Sequence, residues 1–184
     1  DFKGMRIRFS SPTIRDFITA LGATAVGVAP TEIAEALQKG TVDGAFIDYG
    51  GAGIAFKLGG IVKHVSEMYS FVTSFGAAMN PDFYNKLPAD LKKVIDDSLI
   101  GQGKELGDGI DSIDAPGKKA IVEGGANAFR LSPEEDAKFR KIGAEVAETK
   151  IKEMEAKGLP ARGAYTLMKS LADRHGKTSR NFWN

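Results

Sequence analysis

The sequence predicts an α/β fold with a parallel sheet, and three observations carry that expectation. Short apolar runs alternate with amphipathic helical stretches from Met5 to Ile47, in the order β-α-β-α-β. The connections are short, with serine or proline at helix starts and glycine at helix ends. Glycine is also abundant, 22 of 184 residues, against a usual ~7%, so the backbone is expected to turn often.

Met5 to Phe9 (MRIRF) reads as the first strand. Ser10-Ser11-Pro12 then supplies a serine cap with proline at the first helical position. Ile14, Phe17, Ile18 and Leu21 recur at i, i+3, i+4 and i+7, one apolar helical face, and Gly22 marks its stop. A second strand is expected over Ala25 to Ala29, and Pro30-Thr31 leads into a helix carrying Ile33, Ala36 and Leu37. Gly40 ends that helix, and Val42 to Ile47 reads as the third strand. Strands joined this way run parallel with right-handed crossovers.

Beyond the third strand, the glycines from Gly50 to Gly60 predict a loop with a short helix near Ile54 to Leu58. Ile61 to Val65 and Tyr69 to Met79 read as extended. Asn80-Pro81 opens a helical turn, and Pro88 opens a helix with Leu91, Val94, Ile95 and Leu99 on one face. Gly101 to Gly125, with Pro116 inside it, reads as a kinked or broken helix. Ala128 to Leu131 is a strand candidate. Ser132 and Glu135 form a capping box for a helix to about Lys157, and a last helix follows Pro160.

Composition removes several classes of function. With 25 basic and 24 acidic residues the net charge is +1, which offers no electrostatic footprint for nucleic acid or an anionic membrane. Cysteine is absent, so there is no disulfide framework, thiolate nucleophile or cysteine-ligated zinc. No apolar run approaches the ~20 residues that span a bilayer, and direct membrane insertion is not expected. His64 and His175 belong to no ligand-spaced cluster, and no G-x-S-x-G, H-E-x-x-H or P-loop is present. The expectation is a non-enzyme without metal or cofactor.

In an open parallel sheet, ligands bind at the carboxyl ends of the strands. That edge gathers Arg8, Ser10 and Ser11 after the first strand and Asp48 and Tyr49 after the third; Tyr69 lies near the same inferred cleft. Arg8 offers a planar fork matched to a carboxylate, and the helix opening at Pro12 aims free N–H groups at the same space. A bland alternative stands beside it, in which Arg8 pairs with Asp48 or faces solvent as Arg6 does. Gly51-Ala52-Gly53 is no dinucleotide fingerprint, because Phe56 stands where the third small residue is needed. Its glycines let the backbone approach a small ligand or make a bend.

Several segments resemble one family. Asp1 to Arg8 (DFKGMRIR) is similar to the "D-L-K-G-(apolar)-(K/R)-I-R" segment of TRAP-transporter solute-binding proteins, the DctP family. Ala20 to Ala23 matches its "A-L-G-A", and EIAEALQKGTVDG from Glu32 to Gly44 matches its "A-L-Q-x-G-x-V-D-G" region. Asn80 to Tyr84 with Leu87-Pro88 resembles a further family segment, and the likeness runs to about residue 145. It implies a periplasmic-binding-protein-like fold of type II, with two α/β domains closing on an organic acid. The protein would be extracytoplasmic and would pass its ligand to membrane permease subunits driven by an ion gradient. In that pattern Arg8 holds the ligand carboxylate.

Two departures accompany the likeness. Many members carry "Q-E-N-P" after V-D-G, with an asparagine that touches ligand; here the residues are Ala45-Phe46-Ile47-Asp48, so that contact is not carried over. Phe46 and Tyr49 suggest a more apolar or aromatic ligand, with core packing the alternative for Phe46. Asp48 would hold a ligand amine or hydroxyl, or pair with Arg8. The other departure is the Gly- and Pro-containing stretch 101–125, where the family has a long unbroken helix.

Because members carry more than a hundred further residues ahead of the matching segment, the resemblance implies the back half of a two-domain binder. The second domain is expected nearly complete and the first mostly missing. The expected organisation is a ligand-binding α/β domain over 1–70, a crossover strand and helices returning to the first domain over 71–126, and a C-terminal strand and helices over 127–184. Apolar surface facing the missing domain is expected to promote self-association. A different class of function stands as the alternative, the effector-sensing domain of a cytoplasmic transcriptional regulator, which uses a similar β-α-β-α-β half.

Overall fold

A computed structural model of the chain describes residues 2–68, 70–71 and 76–176. The first half builds a three-stranded parallel sheet in the order β2-β1-β3, from β1 (Arg6–Phe9), β2 (Thr24–Gly27) and β3 (Gly44–Ala45). Arg8 stands opposite Val26 on one side and Ala45 on the other. As the middle strand, β1 is covered on both faces, so Ile7 and Arg8 are both buried although they point opposite ways.

Helix α1 (Pro12–Ala20) follows β1 directly. Ser11 caps it by accepting the Ile14 N–H at 3.4 Å, and Pro12 fills the first turn. Its Ile14, Phe17 and Ile18 are buried with Ile7, Ala23 and Phe46 in the first core cluster. Each such side chain contributes about 1.5–3 kcal/mol by leaving water. The chain leaves α1 through Gly22 at φ 89°, a conformation that favours glycine. A turn of 3-10 helix (Pro30–Glu32) runs into α2 (Ile33–Gln38), and Gly40 at φ 65° ends it. The third strand is shorter than expected, because after Ala45 the chain bends toward a wide helical turn at Gly51–Ala55. That turn begins and ends earlier than the helix expected near Ile54 to Leu58.

A second, two-stranded parallel sheet pairs β4 (His64–Ser66) with β5 (Asn127–Phe129). Between them lie α3 (Pro81–Lys86), α4 (Ala89–Leu99) and α5 (Gln102–Glu123). The stretch expected to break is thus one 22-residue helix containing Pro116. Its glycines are what permit its packing: a Cβ on Gly53 would stand 2.2 Å from the Gly117 carbonyl oxygen, and one on Gly124 would stand 2.3 Å from the Gly60 nitrogen. Gly53 and Gly59 thus serve close contact with the α5 backbone, beside Gly60, which turns the chain at φ 81°. A second core cluster fills this junction, with Ile33, Ala52, Leu58, Ile121 and Ala126 buried together.

Helix α6 (Pro133–Glu155), capped by Ser132, packs Phe139, Ile142 and Val146 against the α1 cluster, and α7 (Ala161–His175) lies on α6. Helices α3, α4 and α7 bury no residue, and Val94, Leu99, Ile100 and Leu106 are more than 60% exposed. No described helix is long and apolar enough to cross a membrane.

Candidate functional site

The carboxyl edge of the three-stranded sheet is organised around Arg8. Its guanidinium is carried inward by the central strand, and the residue is 6% exposed. Nε donates to the Val28 carbonyl at 3.2 Å and an Nη to the Phe46 carbonyl at 3.4 Å. These acceptors lie just past β2 and β3, so the fork is stretched across the ends of both neighbours. Among the described residues no carboxylate pairs with it, and burial alone pulls its pKa below the ordinary arginine value. A guanidinium with two backbone partners keeps donors in reserve, and its charge is uncompensated. An incoming carboxylate would supply both missing elements.

The other predicted site residues take distinct places. Ser11 spends its hydroxyl on the α1 cap, and Ser10 is exposed beside it. Asp48 accepts the Gly51 N–H at 2.6 Å, so it starts the glycine turn and does not neutralise Arg8. Tyr49 donates its hydroxyl to Glu67 at 3.0 Å. Tyr69 lies outside the described residues. Phe46 is buried, edge-on to Phe17 at 5.9 Å between ring centroids, and belongs to the core. Arg6 faces solvent, as expected, and there holds Asp43 in an exposed ion pair at 2.7 Å.

A second charged group, unforeseen from the sequence, surrounds Glu67. Its side chain is 5% exposed and receives Lys118 Nζ at 2.5 Å, Tyr49 Oη at 3.0 Å and Arg130 Nε at 3.5 Å. Burial pushes the Glu67 pKa up, but the bonds from Lys118 and Tyr49 and the charges of Lys118 and Arg130 outweigh it and leave the group below its ordinary value. Its one sequence signal is its place just past β4, two residues after Val65, which packs half-buried against the second core cluster. Asp114 of α5 accepts the Gly50 N–H at 3.0 Å; burial raises its pKa, the Gly50 bond opposes that, and Asp48 and Asp111 raise it further. No cluster of metal-ligating side chains occurs among the described residues.

Residues 1–154 match the family described as bacterial extracellular solute-binding protein, family 7 (DctP). The chain belongs to that family. It is a family of solute-binding proteins and not of enzymes, and the effector-domain alternative gives way to it. Among solved structures, the chain is similar to a TRAP solute-binding protein from Rhodoferax ferrireducens in complex with copurified benzoate, at 27% identity and a TM-score of 0.79. That likeness covers 96% of this chain and 56% of the other. A marine metagenome TRAP solute-binding protein specific for aromatic acid ligands, in complex with metahydroxyphenylacetate, gives 26% identity and a TM-score of 0.78. Here 94% of this chain covers 56% of the other. A Bordetella bronchiseptica protein of the same kind, at 22% identity and a TM-score of 0.70, shares the fold. The DctP-family chain therefore spans about 56% of the length of the first two of these relatives.

Proposed function

We propose that this chain forms the ligand-gripping portion of an extracytoplasmic TRAP-type solute-binding protein, with Arg8 as the carboxylate anchor. The observation that carries the reading is the buried Arg8 guanidinium, bonded to two carbonyls with no acidic partner among the described residues. The ligand class is a monocarboxylate with an aromatic ring. Two relatives above 25% identity hold benzoate and metahydroxyphenylacetate, and a single guanidinium balances a single carboxylate.

The fold is of the type II binding-protein kind, with the second domain nearly complete and the cleft finished by polypeptide outside this chain. The apolar faces of α4 and the first half of α5, with Leu99, Ile100 and Leu106 exposed, suit burial against that missing part. In its absence the same faces would pair copies of the chain. Ligand closed between two such domains would be handed to permease subunits in the membrane. Ser10, Ser11, Asp48 and Tyr49 complete the proposed edge of the site.

A thermal-shift titration of the full polypeptide with benzoate, in wild type and Arg8→Ala, tests this. Ligand at 100 times its Kd should stabilise the wild type by about 2.7 kcal/mol. The Arg8→Ala protein should show no shift. An equal shift in both would remove Arg8 from the site.

A further inference from the structure

The segment that follows β3 is anchored at both ends. At Phe46 it is held to β1 from both sides of the peptide, the amide donating to the Arg8 carbonyl at 3.1 Å and the carbonyl accepting from the Arg8 guanidinium at 3.4 Å. At Tyr49 it is held by Glu67, which accepts the phenol at 3.0 Å. Glu67 is itself fixed, its amide bonded to the Phe129 carbonyl at 2.9 Å and its carboxylate gripped by Lys118 of α5 and by Arg130 beyond β5. Lys118 also stands 5.6 Å from the centre of the Tyr49 ring, and the Tyr49 carbonyl rests on Gly117, where a Cβ would meet it at 2.1 Å. Only Ile47 and Asp48 separate the two anchors, about 10 Å of chain at full extension, so a displacement at Tyr49 reaches Phe46 through few soft dihedrals.

We infer that Glu67 is a positioning residue for ligand binding: by holding Tyr49 it sets the Phe46 carbonyl that orients the Arg8 guanidinium. The inference rests on the reading of Arg8 as the carboxylate anchor. Glu67 touches no ligand in this scheme. A misplaced acceptor lets the fork turn away from the direction of the incoming carboxylate, and small misplacements of a charged pair are costly in binding.

The test uses the full polypeptide and benzoate, with Kd measured by calorimetry for wild type, Arg8→Ala, Glu67→Ala, Glu67→Gln, Tyr49→Phe and the Glu67→Ala/Tyr49→Phe pair. Glu67→Ala should weaken binding about tenfold, because the Arg8 fork is left less well aimed at the carboxylate. Glu67→Gln still offers an oxygen to the phenol and should restore most of it. The double variant should bind no more weakly than Glu67→Ala, because both changes cut one chain of contacts. Losses that multiply, or unchanged affinity in Glu67→Ala, would overturn the inference while leaving Arg8 in place. Unchanged affinity in Arg8→Ala would instead overturn the anchor itself.

A ligand-free measurement accompanies it. Amide exchange at Phe46 should quicken in Tyr49→Phe, which keeps its ring and so its packing. Exchange at Thr24, whose amide bonds the Met5 carbonyl at 2.8 Å, should stay as in wild type. An unchanged Phe46 rate would overturn the inference even if Glu67→Ala fails to fold.

Discussion

Gly53 and Gly117 meet backbone to backbone. A Cβ on Gly53 would lie 2.2 Å from the Gly117 carbonyl oxygen and 2.6 Å from its Cα. No rotamer relieves a clash with main chain, so Gly53→Ala must push α5 off the glycine turn. The expected cost is about 1–3 kcal/mol, the range for overpacking a filled interior. Gly143→Ala is the control, since its Cβ would make an ordinary 3.7 Å contact with Phe17 inside α6. There the gain in helix propensity should stabilise by about 0.5–1 kcal/mol. Urea unfolding of both variants checks the opposite signs.

Arg8→Lys separates charge from shape. Lysine keeps the positive charge but has no planar fork, so it cannot hold the Val28 and Phe46 carbonyls while gripping both oxygens of a carboxylate. Affinity for benzoate should fall tenfold or more, about 1.4 kcal/mol, by calorimetry on the full polypeptide. Affinity equal to wild type would mean that charge alone recruits the ligand.

Much of this arrangement is legible in the sequence where short-range rules decide it. The Ser11 and Ser132 caps and the glycine stops after α1 and α2 each follow from a few neighbouring residues. The continuity of α5 is not legible, because glycine and proline cost a helix roughly 1 and 3 kcal/mol each by propensity. What offsets that cost is contact between Gly117 and Tyr49 and between Gly124 and Gly60, residues more than sixty positions apart in the chain. Separation along the chain also hides Glu67, whose partners Tyr49, Lys118 and Arg130 come from three separate segments. Asp48 beside Arg8 at the sheet edge invites a salt bridge on paper, yet its carboxylate is already used by the Gly51 amide.

Acid should weaken the Glu67 cluster. Its pKa is depressed in the folded protein, so its contribution is complete above the unfolded value of about 4.3 and is lost as pH falls through the lower folded value. Glu67→Gln removes that dependence. At pH 7 the variant should be less stable by about 1–3 kcal/mol, the worth of hydrogen bonds to a charged group. The gap to wild type should close as the pH drops below 4. Paired urea titrations across that range read the difference, and a gap that is constant with pH would contradict the cluster's role.

Asp114 carries the opposite sign. Burial holds its pKa above the ordinary aspartate value, with Asp48 and Asp111 adding to the effect. A raised folded pKa means that the protonated form is favoured on folding, so this contribution is present in acid and lost as pH rises through the folded value. At pH 7 the ionised group is therefore a burden on the α5 junction. Asp114→Asn keeps an oxygen for the Gly50 amide, bonded at 3.0 Å, and removes the charge. Its melting temperature should exceed that of wild type at pH 7 by about 1–2 °C, the response of a chain this size to ~0.5 kcal/mol. The advantage should vanish near pH 3, where wild-type Asp114 is protonated. A variant less stable than wild type at pH 7 would show that the Gly50 bond needs the full carboxylate charge.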